Sequence, residues 1–391
     1  MSIQSTEQTE HERTPPPWGL ILSAFVNKCG TLGIALLPML LIEYGFTQTQ
    51  SSLILSCTKA AEPVSFLLGG VAINALGVYP ILLVSFLISA VGLVIAPMTR
   101  VAWLVLLGGV LAQFGTSLFN PAARSLIRAD SAKRSLKENL AWLRTANNLG
   151  KVVASGVAML VGKFGLMIPF LFDAFTSLVA FALGWFVIPS KPAPQEGARM
   201  GWNDVERGYY LYSTALLFYF FVYELGYMSF AALAKIRMGT QGIQAFALAS
   251  LVNTAMCGFA AVPAQRWFRD SRWSLQAGTL LTAAGALLCL YLGNTFLSIA
   301  LASFVFTLGE VIFTVHSQVL LLANSPATGG SGHYGVSLTI QSLGRYLAGW
   351  ALFPIVINGV HPAMPFFAGA LGFFALFYVL PGTFLDGERK S

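Results

Sequence analysis

Long apolar segments are the feature of this sequence that most restricts its fold. Each has about the 20 residues that an α-helix needs to cross a bilayer, and short polar breaks separate them. Only 10% of the residues are charged, against roughly 25% in an average soluble domain, so the chain cannot cover a water-facing surface. We therefore predict an all-α membrane protein with twelve transmembrane helices, at 18–43, 50–73, 78–98, 102–124, 139–162, 167–189, 208–235, 242–264, 274–293, 296–323, 334–358 and 362–383.

The second half of the chain repeats the first at a constant offset. The segment from Thr145 to Lys151 returns as Thr339 to Arg345, and Gly115 maps onto Gly309 at the same spacing. Repeated halves are typical of transporters in which one half rocks against the other around a central site. The predicted units are an N-terminal tail at 1–17, a six-helix half at 18–189, a linker at 190–207, a second six-helix half at 208–383 and a C-terminal tail at 384–391.

Lys and Arg residues are distributed unevenly between the two sets of alternate loops. The set opposite the termini holds only Arg100, Lys163, Lys235 and Arg237, whereas the set on the side of the termini holds most of the others. By the positive-inside rule, both termini are expected to be cytoplasmic. This topology also accounts for the formal charge of +7 without a nucleic-acid partner. We expect a monomeric, multi-pass protein of the bacterial inner membrane.

Ionisable residues inside the spans are few, and each is costly unless it faces protein or water. They therefore indicate the interior of the bundle. Glu310 is the leading candidate for proton coupling, because burial disfavours the charged form of a carboxyl group. Neutral polar residues either bind substrate or only join helices by hydrogen bonds. The candidates for proton coupling are Glu310, Glu224 and Glu62, and those for substrate binding are Lys28, Lys59, Asn120, Arg144, Asn148, Lys151, His316, Gln341 and Arg345.

Two ion pairs are predicted among these residues. Lys59 and Glu62 are three positions apart on one helix, a spacing that brings side chains together. Lys28 and Glu224 lie at equivalent positions of the two halves and are expected to meet across a central cavity. The predicted partners are thus a small-molecule substrate, protons and the lipid bilayer, and no metal, cofactor or enzymatic activity is expected.

Three segments carry a resemblance to a known family. The stretch from Asn120 and Pro121 to Arg144, Asn148 and Gly150 resembles the span 4 to span 5 region of drug:proton antiporters of the major facilitator superfamily. Gly309-Glu310 in span 10 is similar to the Gly-Glu of one bacterial branch of those exporters, and Asn27-Lys28-Cys29-Gly30 is similar to its first helix. The resemblance implies a major facilitator fold and a proton-coupled exporter that works by alternating access.

The sequence departs from that family pattern at two places. The loop between spans 2 and 3 usually carries charged residues that latch one side of the transporter, but Asn74, Ala75, Val78 and Tyr79 stand there. Span 5 has Gly156-Val157 where drug antiporters often have Gly-Pro. A non-transporting sensor on a transporter fold is therefore an alternative, as is an uptake or facilitative carrier.

Other classes fit the sequence less well. Asn120-Pro121-Ala122 spells the aquaporin tripeptide, but it occurs once and a channel of that kind needs two copies. No H-E-x-x-H or G-x-S-x-G motif indicates a membrane enzyme. A nucleotide-driven pump needs G-x-x-x-x-G-K followed by Ser or Thr, which Gly162-Lys163 lacks. The excess of cations in the interior favours a small anionic or zwitterionic amphipathic molecule such as a drug, siderophore or metabolite as the substrate.

Overall fold

The computed structural model describes residues 18–130, 136–188, 207–260, 271–323, 330–358 and 363–380. The predicted tails and almost all of the predicted linker lie outside these residues. Within them the long elements are all α-helices: α1 (Trp18–Lys28), α2 (Gly33–Glu43), α3 (Gln48–Leu76), α4 (Val78–Ile95), α5 (Ala102–Asp130), α6 (Leu136–Val161), α7 (Met167–Val187), α8 (Arg207–Met238), α9 (Gly242–Phe259), α10 (Ser271–Leu292), α11 (Phe296–Ala323), α12 (Gly330–Asn358) and α13 (Met364–Tyr378).

The first predicted span is two helices, because the chain breaks between α1 and α2. A helix that begins inside a bundle needs partners for its first backbone N–H groups. Asp173 of α7 supplies one, since its Oδ2 accepts a hydrogen bond from the backbone N–H of Gly33 at 3.1 Å. Gly30 lies so close to the backbone of Asp173 and the side chain of Thr176 that a Cβ would collide. The break is therefore built into the packing of α1 and α2 on α7.

The helices form two six-span halves, as predicted. In the first half α1 packs on α6 and α7, and α5 packs on α3 and α4. In the second half α8 packs on α10, α12 and α13, and α11 packs on α9 and α10. The halves meet where α3 contacts α12, α6 contacts α9 and α2 contacts α8. Residues on both sides of these contacts form the interior of the bundle.

The structure also repeats the sequence repeat in three dimensions. In the first half, Gly115 of α5 lies against the backbone of Ser85 and Ser89 in α4. In the second half, its counterpart Gly309 of α11 lies against the backbone of Gly278 and Thr282 in α10. Each glycine lets two helices cross at a distance that a side chain would prevent. The twelve-span, two-half fold predicted from the sequence is therefore confirmed.

Hydropathy alone finds fewer spans than the fold contains. Seven segments of the described chain are long and apolar enough to cross a membrane, and one of them, Gly208–Phe259, combines α8 and α9. Helices α3, α6 and α12 are not among the seven, because their polar residues lower the mean hydropathy. These same three helices line the contact between the halves, so the least apolar spans are those that face the interior.

Candidate functional site

A cluster of four charged residues lies where the two halves meet, near the midpoints of three helices. It consists of Lys59 and Glu62 on α3, Glu224 on α8 and Arg345 on α12, and is called the inter-half charge cluster. Lys59 Nζ lies 2.5 Å from Glu224 Oε1, and Arg345 Nη1 donates to Glu62 Oε1. Arg345 Nε is also 3.9 Å from Glu224 Oε2. The pairs Lys59–Glu224 and Arg345–Glu62 thus join one half of the molecule to the other, whereas the contact of Arg345 with Glu224 lies within the second half.

The inter-half charge cluster differs from both pairings predicted from the sequence. Lys59 pairs with Glu224 across the interface and not with Glu62 on its own helix, so that prediction is wrong. Glu224 is bound by Lys59 and approached by Arg345, so the predicted pair of Lys28 with Glu224 is also wrong in this conformation. Helical spacing and repeat symmetry could not show which helix of the other half would lie opposite Lys59.

The contacts between the halves continue from this cluster toward one end of the bundle, where α2 ends and α3 begins. Ser52 Oγ donates to the carbonyl of Trp350 at 3.4 Å, and Ser155 Oγ donates to Ser250 Oγ at 3.1 Å. At the surface, Lys235 Nζ donates to Glu43 Oε2 at 2.6 Å. These inter-half contacts lie at the middle of the bundle or toward this end, which is called the closed end.

Glu310 of α11 has surroundings that differ from those of the other two candidate carboxyl groups. Its Oε2 accepts a hydrogen bond from Asn253 Nδ2 at 2.6 Å, and its Oε1 accepts one from Tyr223 OH at 3.2 Å. Both donors are neutral, and no ion pair of Glu310 occurs within the described residues. A proton can therefore bind Glu310 without first displacing a bound cation, unlike at Glu62 or Glu224.

Two cations on α6 face Glu310 from the first half. Lys151 and Arg144 are exposed and lie close enough to Glu310 for their charges to act on it. Neither forms an ion pair with another described residue. Asn148, between them on the same helix, and Asn120 on α5 are half-buried. The cations of α6 are thus available to an anionic group, whereas Lys59 and Arg345 are already paired.

Lys28 lies apart from this arrangement, in the packed interior of the first half. Its side chain is buried at the end of α1, where the Cβ lies against Gly150 of α6. The nearest charges that act on it are those of Lys151 and Asp173. Asp173 thus lies at the break in the first span, where it accepts the hydrogen bond from the backbone of Gly33 and has the buried cation Lys28 beside it. Direct contact of Lys28 with a substrate in the interior is not supported by this placement.

The remaining two candidates each have a hydrogen-bond contact within their own helix. Gln341 is buried and donates from Nε2 to Ser337 Oγ at 3.1 Å. His316 is buried, with Nδ1 2.9 Å from the carbonyl oxygen of Ile312. Both are hydrogen-bonded side chains of the second half, and neither reaches the inter-half charge cluster by a described bond.

Aromatic side chains line the interior face of α8, and sequence reasoning missed them. Tyr219, Tyr223 and Tyr227 follow one another at four-residue spacing, and the rings of Tyr223 and Tyr227 are stacked with centroids 6.4 Å apart. The ring of Phe306 on α11 lies 5.3 Å from that of Tyr223. The four-residue spacing was visible in the sequence and could have indicated this face. The partner Asn253 had no such signal, because a lone Asn in an apolar span does not reveal what it faces.

Comparison with known proteins is consistent with this architecture. The family model of the Major Facilitator Superfamily matches residues 19–354. The chain belongs to this superfamily. Among curated protein sequences, none matches the chain.

Several solved transporter structures are similar in fold over nearly the whole chain. A variant of the nucleoside transporter NupG has a TM-score of 0.76 at 14% identity, covering 95% of this chain and 99% of that one. A POT family transporter in complex with 5-aminolevulinic acid has a TM-score of 0.74 at 11% identity, covering 96% of each chain. A D-xylose-proton symporter has a TM-score of 0.73 at 12% identity, covering 95% and 99%.

At these identities the likeness shows the fold alone. Membership of the superfamily shows that this protein is a membrane transporter and not an enzyme. The drug:proton antiporter branch, the direction of transport and the substrate do not follow from this likeness.

Proposed function

We propose that this protein is a proton-coupled secondary transporter that exports a small amphipathic, anionic or zwitterionic molecule by alternating access. Glu310 carries the proton, and Lys151 and Arg144 bind the anionic group of the substrate. The observation that supports this most strongly is the contrast between the carboxyl groups: Glu62 and Glu224 form ion pairs with cations, whereas among the described residues Glu310 is bonded only to Tyr223 and Asn253.

The division of labour follows from that contrast. A buried ion pair is costly to break, because loss of one charge leaves the other without a partner. Glu62 and Glu224 therefore hold the two halves together near the middle of the bundle. Glu310 can gain or lose a proton with neutral donors that remain hydrogen-bonded in either state. Proton binding and the rocking of the halves are thus assigned to different carboxyl groups.

Export is the direction implied by the resemblance to drug:proton antiporters. The direction can be read from cells, because an exporter that is deleted leaves its solute inside. We expect an untargeted metabolite comparison of a deletion strain with its parent to show an accumulated anionic or zwitterionic molecule in the deletion strain. Depletion of such a molecule would instead indicate uptake, and changed resistance to cationic dyes alone would contradict the proposed substrate class.

The role of Glu310 is tested with that solute in proteoliposomes. We expect Glu310→Gln to abolish transport driven by a pH gradient while solute exchange at equal concentrations continues, because exchange needs no net proton movement. Glu43→Gln, the same change at the surface of the closed end, is the matched control and should retain pH-driven transport. Loss of exchange together with pH-driven transport in Glu310→Gln would show that Glu310 is structural.

The same exchange assay separates a transporter from a sensor built on the fold. A sensor binds its ligand without moving it, so labelled solute would not enter vesicles that are loaded with unlabelled solute. Exchange by the wild-type protein is therefore the first result required, before any variant is compared.

A further inference from the structure

The interior offers two sites of opposite charge that face each other across the halves, with aromatic rings beside one of them. Lys151 and Arg144 on α6 form no ion pair with another described residue. Glu310 on α11 has accepted only two hydrogen bonds, and a carboxylate has about four positions at which it can accept. Each site can therefore bind one more charged group.

The two sites specify the class of substrate more closely, and the inference rests on the proposed function. We propose that the substrate is a zwitterion with an aromatic or other flat apolar body, whose carboxylate binds Lys151 and Arg144 and whose ammonium group binds Glu310. The body lies on the rings of Tyr223 and Tyr227. Aromatic faces accept flat apolar groups and also attract a nearby cation.

Whether the substrate and the proton move in opposite directions or in the same direction depends on which charged group of the substrate lies next to Glu310. An ammonium group and a proton compete for the same carboxylate, so binding of a zwitterion releases a proton, which is the condition for antiport. A purely anionic substrate competes instead with the Glu310 carboxylate for Lys151 and Arg144. Its binding would favour uptake of a proton by Glu310, and anion and proton would then move in the same direction.

Other titratable or charged groups near Glu310 do not change this direction. The phenolic groups and the thiol that act on Glu310 through space are neutral when protonated, and the other two groups are the cations of α6. These groups are Tyr219, Tyr223 and Tyr227 on α8, Cys257 on α9 and Arg144 and Lys151 on α6. Glu310 is thus the carboxyl group that exchanges its proton for the ammonium group.

Three related compounds test the inference on the purified full-length protein. L-Phenylalanine carries both charges, 3-phenylpropionate lacks the ammonium group and 2-phenylethylamine lacks the carboxylate. Binding and the accompanying release or uptake of protons are measured for each across a pH series. We expect L-phenylalanine to bind about tenfold more tightly than either single-charge compound, the effect of one charged hydrogen bond, and to release protons on binding. We expect 3-phenylpropionate to take protons up.

Two variants assign the charges to their sites. Glu310→Gln should abolish proton release and make L-phenylalanine bind no more tightly than 3-phenylpropionate. Lys151→Gln should lower the affinity for L-phenylalanine to about that for 2-phenylethylamine, while binding of L-phenylalanine still releases protons.

The inference is overturned if 3-phenylpropionate binds as tightly as L-phenylalanine, if L-phenylalanine takes protons up, or if none of the three compounds binds. These results are separate from failure of the proposed function. Proton-driven export of a purely anionic metabolite would leave the proposed function standing while this inference fails.

Discussion

The two halves of the molecule have the same packing and different interiors. Gly115 and Gly309 let equivalent helix pairs cross at equivalent places. The first half has small polar groups such as Ser89 and Thr116, which are hydrogen-bonded at 3.1 Å, and α8 of the second half has the stacked rings of Tyr223 and Tyr227. The repeat therefore specifies the scaffold, and the side chains that face the interior are free to differ.

That difference places opposite charges on opposite sides of the interface. Arg144 and Lys151, which form no ion pair with another described residue, belong to the first half, and the carboxyl group of Glu310 belongs to the second. At the inter-half charge cluster, the pairs Lys59–Glu224 and Arg345–Glu62 each take one residue from each half. A transporter of this kind can change conformation only by separating such pairs, so their strength sets the energy of the closed end.

The largest effect is expected from removal of Arg345. Arg345→Ala leaves the buried carboxylate of Glu62 without its partner and removes a charge near Glu224. Breaking a buried ion pair in this way costs about 3 kcal/mol, toward the low end of the usual range because 24% of the Arg345 side chain is exposed. We expect the closed-end conformation to lose about 100-fold in population and transport in proteoliposomes to fall at least about tenfold.

A double variant distinguishes this effect from general damage. Glu62→Ala together with Arg345→Ala leaves no unpaired charge between these two positions, so it should be less harmful than Arg345→Ala alone. Losses that simply add would mean that the two residues act independently. The population of the closed end can be followed by the distance between fluorescent labels on cysteines at Thr99 and Asn294, one in each half, in a variant without the four native cysteines.

A smaller effect, equal in both halves, is expected at the helix crossings. Gly115→Ala and Gly309→Ala each place a methyl group where the neighbouring backbone already lies, which should destabilise the protein by about 1–3 kcal/mol. Gly156→Ala is the matched control, because a Cβ there meets no atom within 4 Å. Thermal unfolding in detergent measures all three. A loss of stability at only one of the two crossings would show that the halves are not packed alike.

The sequence contained enough information to predict the fold because the bilayer imposes it. Span length, the offset between the halves and the resemblance around Asn148 and Gly150 all depend on local residues, and the structure confirms the architecture that they imply. The break in the first span was missed, because a Lys28 inside an apolar run does not reveal that Asp173 of a distant helix caps a new helix start at Gly33.

The candidate site was predicted less completely, for a similar reason. A charged side chain in an apolar span costs free energy unless it faces the interior. Glu62, Glu224, Glu310 and Arg345 could therefore all be recognised as interior residues. Their partners depend on how helices of one half lie against helices of the other, which no spacing along a single helix encodes. The pairing of Lys59 with Glu224 therefore required the structure.

The smallest effect is expected at the surface of the closed end, which sharpens the comparison between a buried and an exposed inter-half pair. Lys235 and Glu43 join the same two halves as Arg345 and Glu62, but 40% of the Glu43 side chain is exposed. Exposed ion pairs contribute about 0–1 kcal/mol and are screened by salt. We expect Glu43→Gln to change the population of the closed-end conformation, measured from the distance between the two labels, by less than about fivefold. Added salt should have the same effect on the wild-type protein. By contrast, added salt should neither reproduce the effect of Arg345→Ala in the wild-type protein nor reverse it in the variant, since the inter-half charge cluster is shielded from solvent. If Glu43→Gln opened the closed end as far as Arg345→Ala does, the surface pair and not the buried cluster would hold the halves together.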